Sequence, residues 1–196
     1  MFLEVDVTKR DEIRNMVEAV MDKFKRIDVL VNNAGIGRTL EVEKMDDNDW
    51  LDVIDVNLNA VFRVSQEVGK VMISKKNGSI INISSISGLI VNYPQPQISY
   101  NASKAGVIMF TKSLAYEWAK YNIKVNCIAP GYMNIGLTKK RFLTKDKIVE
   151  TWESLTPMGR VGEASELGGL VVYLASDASS YCTGGVFTAD GGYTIW

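Results

Sequence analysis

Short apolar runs alternate with amphipathic segments along the chain. The apolar runs predict strands at residues 2–7, 27–35, 78–84 and 123–131, and a last strand in "GGVFTADGG". Apolar residues at helical spacing predict helices at 9–24, 47–74, 98–121, 145–155 and 163–176. Thr8 is the expected N-cap of the first helix. Continuously apolar strands separated by helices indicate a parallel sheet covered on both faces. The sequence therefore predicts one doubly wound α/β domain.

The composition excludes several classes of function. The protein has 196 residues, enough for one domain with its own core. Its net charge of -1 argues against a general binder of nucleic acid or anionic membranes. No apolar run approaches the ~18–20 residues of a membrane span, and the N-terminus has neither the length nor the flanks of a signal peptide. We interpret the basic stretch 138–147 as a solvated segment rather than a phosphate site.

The cysteine and histidine content argues against a metal enzyme. Cys127 and Cys182 stand alone, and the sequence has no histidine, so the spacing of a metal site is absent. This inventory disfavours a zinc-dependent hydrolase or dehydrogenase, and no metal is expected. Two unpaired thiols fit a reducing compartment, and we therefore predict a cytoplasmic protein.

Without histidine, a site that transfers protons needs another pair of side chains. In "SYNASKAG" (99–106), Tyr100 and Lys104 are one helical turn and ~6 Å apart along the axis, on the same face. The pKa of a free phenol is about 10, too high for a base at neutral pH. A nearby ammonium lowers the pKa of a phenol and makes it usable as an acid or base. On its own the pair is more typical of two polar residues on a helix surface than of a catalytic pair.

Small and polar residues end three successive predicted strands. Ser84 and Ser85 end one strand, "NNAG" (32–35) ends the strand before it, and "PG" (130–131) ends the strand after it. The carboxyl ends of parallel strands form the ligand crevice of open α/β sheets. Each motif alone is also a turn signal. Together, beside the Tyr100–Lys104 helix, they indicate a functional site.

These residues resemble the motifs of the short-chain dehydrogenase/reductase family. In sequence order the motifs are "DVT" (6–8), "NNAG" (32–35), "VNL" (56–58), "INISS" (81–85), "YNASK" (100–104) and "APG" (129–131). The resemblance covers essentially all of the sequence. It implies a Rossmann-like fold and an oxidoreductase that interconverts a secondary alcohol and a ketone by hydride transfer, with NAD or NADP as cofactor.

The resemblance implies roles for four catalytic residues. Tyr100 is similar to the general acid/base, and Ser85, rather than Ser84, to the hydroxyl that holds the substrate oxygen. Lys104 is similar to the residue that lowers the tyrosine pKa and binds the nicotinamide ribose. Asn57 resembles the residue that holds a water in the proton relay. A helix-interior asparagine with a structural hydrogen bond is the alternative.

The resemblance also implies a cofactor site. The residues so assigned are Asp6, Val7, Asn33, Ala34, Gly35, Tyr100, Lys104, Pro130, Gly131 and Ile135. Asp6 would accept a hydrogen bond from the adenine amino group, whereas Asn32 is expected to brace the sheet. Ile135 stands where the family often has a threonine, so that only its backbone would serve, with Thr138 as a possible substitute.

A finer resemblance is to the polyol and ketose reductases of the family, which act on mannitol, sorbitol or arabinitol and their ketoses. The stretches that carry it are "SGLIVNYPQPQISYNASKAG" and "DGGYTIW". Between Ser85 and Tyr100 lie Asn92, Gln95 and Gln97, whose amides can bond several hydroxyl groups of a small-molecule substrate. Loop chemistry around two prolines explains these amides equally well.

The family's first strand, its glycine-rich turn "TGxxxGxG" and the helix that binds the pyrophosphate have no counterpart in this sequence. The sequence opens at what resembles the third strand, so roughly 50–60 residues at ~30 per βαβ step are absent. The residue that distinguishes NAD from NADP is absent with them. We therefore expect residues 1–196 to form a single, shortened domain. It is either the catalytic part of an oxidoreductase or a non-catalytic remnant that makes subunit contacts but cannot hold the dinucleotide.

The implied strand order, 3-2-1-4-5-6-7, would place the absent strands between residues 2–7 and 27–35. Unpaired strand edges invite pairing with other molecules. We therefore expect residues 2–7 to be displaced, for instance to pair directly beside 27–35, or a neighbouring subunit to close this edge. The family resemblance implies a homo-oligomer, a dimer or tetramer. Apolar residues on more than one face of helices 47–74 and 98–121 favour the same conclusion.

Overall fold

Four parallel strands form the central sheet of the computed structural model, which describes residues 1–135 and 147–195. The described residues form six strands in all, which are β1 (Val29–Asn32), β2 (Gly78–Ile83), β3 (Ile123–Pro130), β4 (Met133–Asn134), β5 (Gly162–Glu163) and β6 (Val186–Ala189). The central sheet has the order β1-β2-β3-β6, and β4 and β5 form a separate parallel pair. This is the order expected for the last four strands of the implied fold.

Helices cover both faces of this sheet. They are α1 (Arg10–Phe24), α2 (Asp47–Ile54), α3 (Ala60–Lys75), α4 (Ile98–Trp118), α5 (Lys147–Leu155) and α6 (Gly168–Ala175). Successive residues of a strand point to opposite faces. Accordingly Ile80 lies in a buried cluster with residues of α1, α3 and α4, whereas Ile81 packs in another cluster with Leu174 of α6. The predicted doubly wound α/β class is confirmed.

The predicted helix 47–74 includes an irregular turn. Residues Asp55–Asn59 form a π-helical turn that joins α2 to α3. Such turns are rare and often lie at functional sites. Here the turn carries Asn57, whose side chain is fully buried.

The prediction of a strand at residues 2–7 is wrong. Phe2 is 89% exposed, and Asp6 Oδ1 accepts hydrogen bonds from the backbone amide and the hydroxyl of Thr8, at 2.9 and 2.7 Å. Thr8 is not the N-cap of α1, because the helix begins at Arg10. That position belongs to Lys9, whose side chain makes no capping hydrogen bond. A strand needs a pairing partner, and the described part of the protein provides none for residues 2–7.

β1 lies at the edge of the sheet and is not the buried strand that its apolar sequence predicted. It pairs only with β2 among the described residues, and Val29 and Val31 are 39% and 40% exposed. The expected pairing of residues 2–7 beside β1 is absent. Closure of this edge by a neighbouring subunit stays a prediction.

Most of the basic stretch 138–147, with Thr138, lies outside the described residues. Within the described ranges, no helix combines the length and the apolar character that crossing a membrane requires.

Candidate active site

The carboxyl ends of β1, β2 and β3 open into a cleft of about 800 Å³. Open α/β sheets bind their ligands at this edge. Most of the sequence-predicted site residues line it, namely Asn33, Gly35, Ser85, Asn92, Gln95, Gln97, Tyr100, Lys104, Pro130, Gly131 and Ile135. The exceptions are Asp6, Val7, Ala34 and Asn57. Helices α5 and α6 also contribute residues to the lining of the cleft.

The start of α4 packs tightly against the turn that follows β2. A Cβ on Gly88 would lie 2.7 Å from both the carbonyl carbon and the carbonyl oxygen of Lys104, so only glycine allows this approach. The Ser84 hydroxyl donates to the same carbonyl oxygen at 2.7 Å. The Ser84 hydroxyl therefore links β2 to α4, and Ser85 lines the cleft. The role of Ser85 in holding a substrate oxygen stays a prediction.

Tyr100 lies in the first turn of α4. Burial raises the pKa of its phenol, and a hydrogen bond with Ser85 opposes part of that rise. The predicted lowering of this pKa by Lys104 is wrong in this arrangement, because Lys104 Nζ lies 5.5 Å from the centre of the Tyr100 ring and donates to Ile83 O at 2.9 Å. The Tyr100 phenol is thus held in its protonated, proton-donating form.

Lys104 is a deeply buried ammonium, 4% exposed. Burial lowers its pKa from 10.5 to about 8, against a smaller opposing effect of the Cys127 thiol. Its contact with Ile83 O uses one of its three N–H donors. A buried charge is costly unless it is hydrogen-bonded, and the hydroxyls of a ribose are acceptors that would complete the set. The ammonium therefore fits the predicted position of the nicotinamide ribose.

Two glycines shape the cleft around this ammonium. A Cβ on Gly35 would lie 3.4 Å from Asn57 Oδ1 and 3.5 Å from Lys104 Nζ. Glycine thus keeps the loop after β1 close to Lys104 without filling the space beside it. A Cβ on Gly131 would lie 2.7 Å from Asp190 Cα, so the segment after β3 also requires glycine. The backbone at these two glycines, which carries no side chain, and the Lys104 ammonium fit the nicotinamide half of a dinucleotide.

The predicted adenine contact lies away from this cleft. Asp6 is exposed, and its hydrogen bonds with Thr8 lower the pKa of its carboxyl group. Its carboxylate therefore has a local partner already, in the turn that leads into α1. The contact of Asp6 and Val7 with an adenine ring stays a prediction.

Asn57 fastens the loop after β1 to α4. Its Oδ1 accepts from Ile36 N at 2.8 Å, and its Nδ2 donates to Ile36 O at 2.9 Å and to Ser103 Oγ at 3.0 Å. The Ser103 hydroxyl in turn donates to Tyr100 O at 2.7 Å. Both N–H groups of the amide are used within the protein, so the side chain has a structural role, as in the alternative interpretation. That Asn57 also holds a water stays a prediction.

Asn32 braces the sheet, as predicted. Its Nδ2 donates to Asn82 Oδ1 at 2.8 Å and to Ser65 Oγ at 3.0 Å. Asn82 Nδ2 continues the series to Thr111 Oγ1 of α4 at 2.9 Å. These buried, fully paired side chains hold β1, β2 and α4 in fixed relative positions.

The three amides of the 92–97 segment line the cleft, and two of them, Asn92 and Gln97, also bond to each other. Gln97 Nε2 lies 2.9 Å from Asn92 Oδ1 and 3.1 Å from Ser87 Oγ. The Ser85 hydroxyl donates to Ser87 Oγ at 3.0 Å. The amides therefore take part in the hydrogen bonding of their own loop and form one wall of the cleft beside Ser85. That they bind the hydroxyl groups of a substrate stays a prediction.

Sequence reasoning missed two aromatic residues at this wall, Tyr132 and Trp152. Tyr132 follows β3, and its ring stacks on Trp152 of α5, with ring centres 4.2 Å apart and planes at 9°. Both residues line the cleft. The position of Tyr132 directly after "APG" was a signal that could have found it. For Trp152 the sequence offered no signal of a site beyond its helical spacing.

Comparison with known proteins identifies relatives of this chain. A family model described as enoyl-(acyl carrier protein) reductase matches residues 1–194. The sequence is 48% identical over 192 residues to a 3-oxoacyl-[acyl-carrier-protein] reductase of Thermotoga maritima, covering 97% of this protein and 76% of the relative. It is 44% identical over 191 residues to a galactitol 2-dehydrogenase (L-tagatose-forming) of Cereibacter sphaeroides, covering 97% and 74%. An NADP-dependent mannitol dehydrogenase of Alternaria alternata is 41% identical over 189 residues, covering 96% and 70%.

Solved structures agree with these relatives. The crystal structure of gox2181 is 44% identical and matches with a TM-score of 0.96 over 99% of this protein and 76% of the other. A gluconate 5-dehydrogenase from Burkholderia cenocepacia J2315, in complex with NADP and tartrate, is 34% identical, with a TM-score of 0.92 over 97% and 74%. The chain therefore belongs to the short-chain dehydrogenase/reductase family. It is an NAD(P)-dependent oxidoreductase with the family's Rossmann-like fold.

Proposed function

We propose that the protein interconverts a polyol and the corresponding ketose, with Tyr100 as the general acid/base. The observation that carries the substrate class is the row of amides, Asn92, Gln95 and Gln97, along the wall of the cleft next to Ser85. Amides donate to and accept from hydroxyl groups, so this wall suits a hydroxylated substrate better than an acyl group. The galactitol and mannitol dehydrogenases among the relatives support the proposal. The 3-oxoacyl reductases supply the competing candidate, a 3-oxoacyl thioester.

The chemistry needs a hydride donor and a proton donor on the same carbonyl group. A bound NAD(P) supplies or accepts the hydride. For reduction, the Ser85 hydroxyl turns its proton from Ser87 to the substrate oxygen and orients it. Tyr100, kept protonated by burial, gives its proton to that oxygen as negative charge develops there. For oxidation, the same two groups act in the opposite sense.

Lys104 has a cofactor-binding function in this proposal. The N–H groups that its contact with Ile83 O leaves free bind the nicotinamide ribose. Asn33, Gly35, Pro130, Gly131 and the backbone of Ile135 hold the rest of the dinucleotide in the cleft.

Initial rates with two substrates test the proposed substrate class. We expect the protein to oxidise NADH or NADPH with D-fructose at a higher kcat/KM than with an acetoacetyl thioester, because the amide wall binds hydroxyl groups. A higher value for the thioester would overturn the polyol proposal in favour of 3-oxoacyl reduction. Turnover of neither substrate, together with no binding of NADH or NADPH by cofactor fluorescence, would favour the non-catalytic module.

We also propose that the protein is a cytoplasmic homo-oligomer. Large apolar side chains are exposed on α2, on α3 and on α4, namely Trp50, Leu51, Phe62, Met109 and Tyr116. Sedimentation velocity at micromolar concentration should show a dimer or tetramer, and a monomer alone would contradict this. The free thiols Cys127 and Cys182 support the cytoplasmic assignment.

A further inference from the structure

We infer that Tyr132 is a specificity-determining residue, whose hydroxyl orients the amide wall for a hydroxylated substrate. The inference rests on the proposed function and extends it to a residue that the sequence motifs do not include. Tyr132 follows β3 and lines the same cleft as Tyr100 and Ser85.

Two side-chain amides donate hydrogen bonds to the Tyr132 hydroxyl. It accepts a hydrogen bond from Asn92 Nδ2 at 3.0 Å and another from Gln95 Nε2 at 2.9 Å. The two amides therefore share one acceptor, and the same hydroxyl is also hydrogen-bonded with Tyr193. Both amides are largely buried, 6% and 9% exposed, and their rotamers therefore depend on this acceptor.

The ring that carries this hydroxyl is itself held on several sides. It stacks on Trp152, whose Nε1 donates to Gln95 Oε1 at 3.2 Å, so α5 contacts both Tyr132 and one of its amide partners. Tyr193 approaches edge-on, with ring centres 5.2 Å apart and planes at 78°. The two stretches that resemble polyol reductases, the segment before Tyr100 and the C-terminal "DGGYTIW", thus meet at this ring.

The arrangement leaves donors for a ligand. A primary amide has two N–H groups, and in the contacts of the described residues Asn92 and Gln95 each place one on Tyr132. The second N–H of each can reach a hydroxyl group in the cleft that both residues line. A site with oriented, buried donors favours a ligand with hydroxyl groups over an analogue that lacks them. Tyr132 determines this preference for a hydroxylated ligand because it holds the two amides in position.

The test is ligand binding by the whole protein, measured by saturation-transfer NMR titration with D-fructose and with 2-hexanone, a ketone that lacks the other hydroxyls. Tyr132→Phe removes the acceptor and keeps the stacked ring. We expect it to weaken the binding of D-fructose about five-fold or more and to leave 2-hexanone within about two-fold. Tyr93→Phe is the matched control, because Tyr93 is 65% exposed in the same segment, and it should change neither affinity.

Three results would overturn the inference: unchanged D-fructose affinity in Tyr132→Phe, equal weakening of both ligands, or no D-fructose binding by the wild type. If Tyr132→Phe does not fold, Gln95→Met must show the same selective loss. Turnover separates this inference from the proposed function. A wild type that binds D-fructose through Tyr132 but does not reduce it refutes the proposed function and leaves the inference standing. If the wild type reduces D-fructose and Tyr132→Phe binds it with unchanged affinity, the inference is refuted and the proposed function stands.

Discussion

Replacing Tyr100 by phenylalanine is expected to lower kcat at least a hundredfold, the usual contribution of general acid–base catalysis. The protein has no histidine to replace it, and in the cleft Tyr100 is the acidic hydroxyl hydrogen-bonded to Ser85. The loss should appear in kcat with little change in the affinity for NADH or NADPH, since the ring stays in place. Stopped-flow or steady-state rates of cofactor oxidation measure it.

Tyr181→Phe is the control for that experiment. Tyr181 is fully exposed, so its variant should keep wild-type turnover. A Tyr100→Phe protein with substantial turnover would remove Tyr100 from the mechanism and leave the proton transfer without a donor.

Replacing Lys104 by methionine is expected to change the pH dependence of stability. The pKa of Lys104 is about 8 in the folded protein and 10.5 as its ordinary value. Between these values the unfolded protein binds the proton and the folded protein does not, so this group makes the wild type more stable as pH rises through that window. Relative to Lys104→Met, the wild type should gain about 2–3 kcal/mol between about pH 7 and about pH 10.

At neutral pH the variant should be the more stable protein. It avoids burial of the charge but leaves Ile83 O without its donor, which costs about 1 kcal/mol. We therefore expect a net gain of about 1–2 kcal/mol at about pH 7, with loss of activity. Urea unfolding at several pH values measures both effects. Lys112→Met, exposed on the same helix, should leave the pH dependence unchanged. Parallel wild-type and Lys104→Met curves would contradict the buried-charge explanation.

The sequence predicted the site where local patterns were sufficient. Helical spacing placed Tyr100 and Lys104 on one face of α4, and the strand ends placed Ser85 and Gly131 at one cleft. These features depend on residues close together in the sequence, and the parallel topology then brings them to the same edge. The order of the four central strands, by contrast, followed from the family resemblance that the motifs carry.

Predictions that depended on distant contacts were less successful. The apolar pattern of residues 2–7 suits a strand, but a strand forms only beside a partner, and the local bond of Asp6 with Thr8 forms a turn instead. The direction of the Tyr100 pKa shift depends on burial by several segments of the protein, which the Tyr–Lys spacing does not show. Tyr132 and Trp152 come together from separate elements, and only the folded protein shows their stacking.

The most direct test of the central claim is isotope transfer from the cofactor to the substrate. The protein is incubated with D-fructose and with NADH or NADPH deuterated at the transferable position of the nicotinamide, and the products are analysed by mass spectrometry. The account predicts a hexitol with one deuterium on the former carbonyl carbon from the wild type, and at least a hundredfold less from Tyr100→Phe. A wild type that forms no deuterated hexitol, or a Tyr100→Phe variant that forms as much as the wild type, would contradict it.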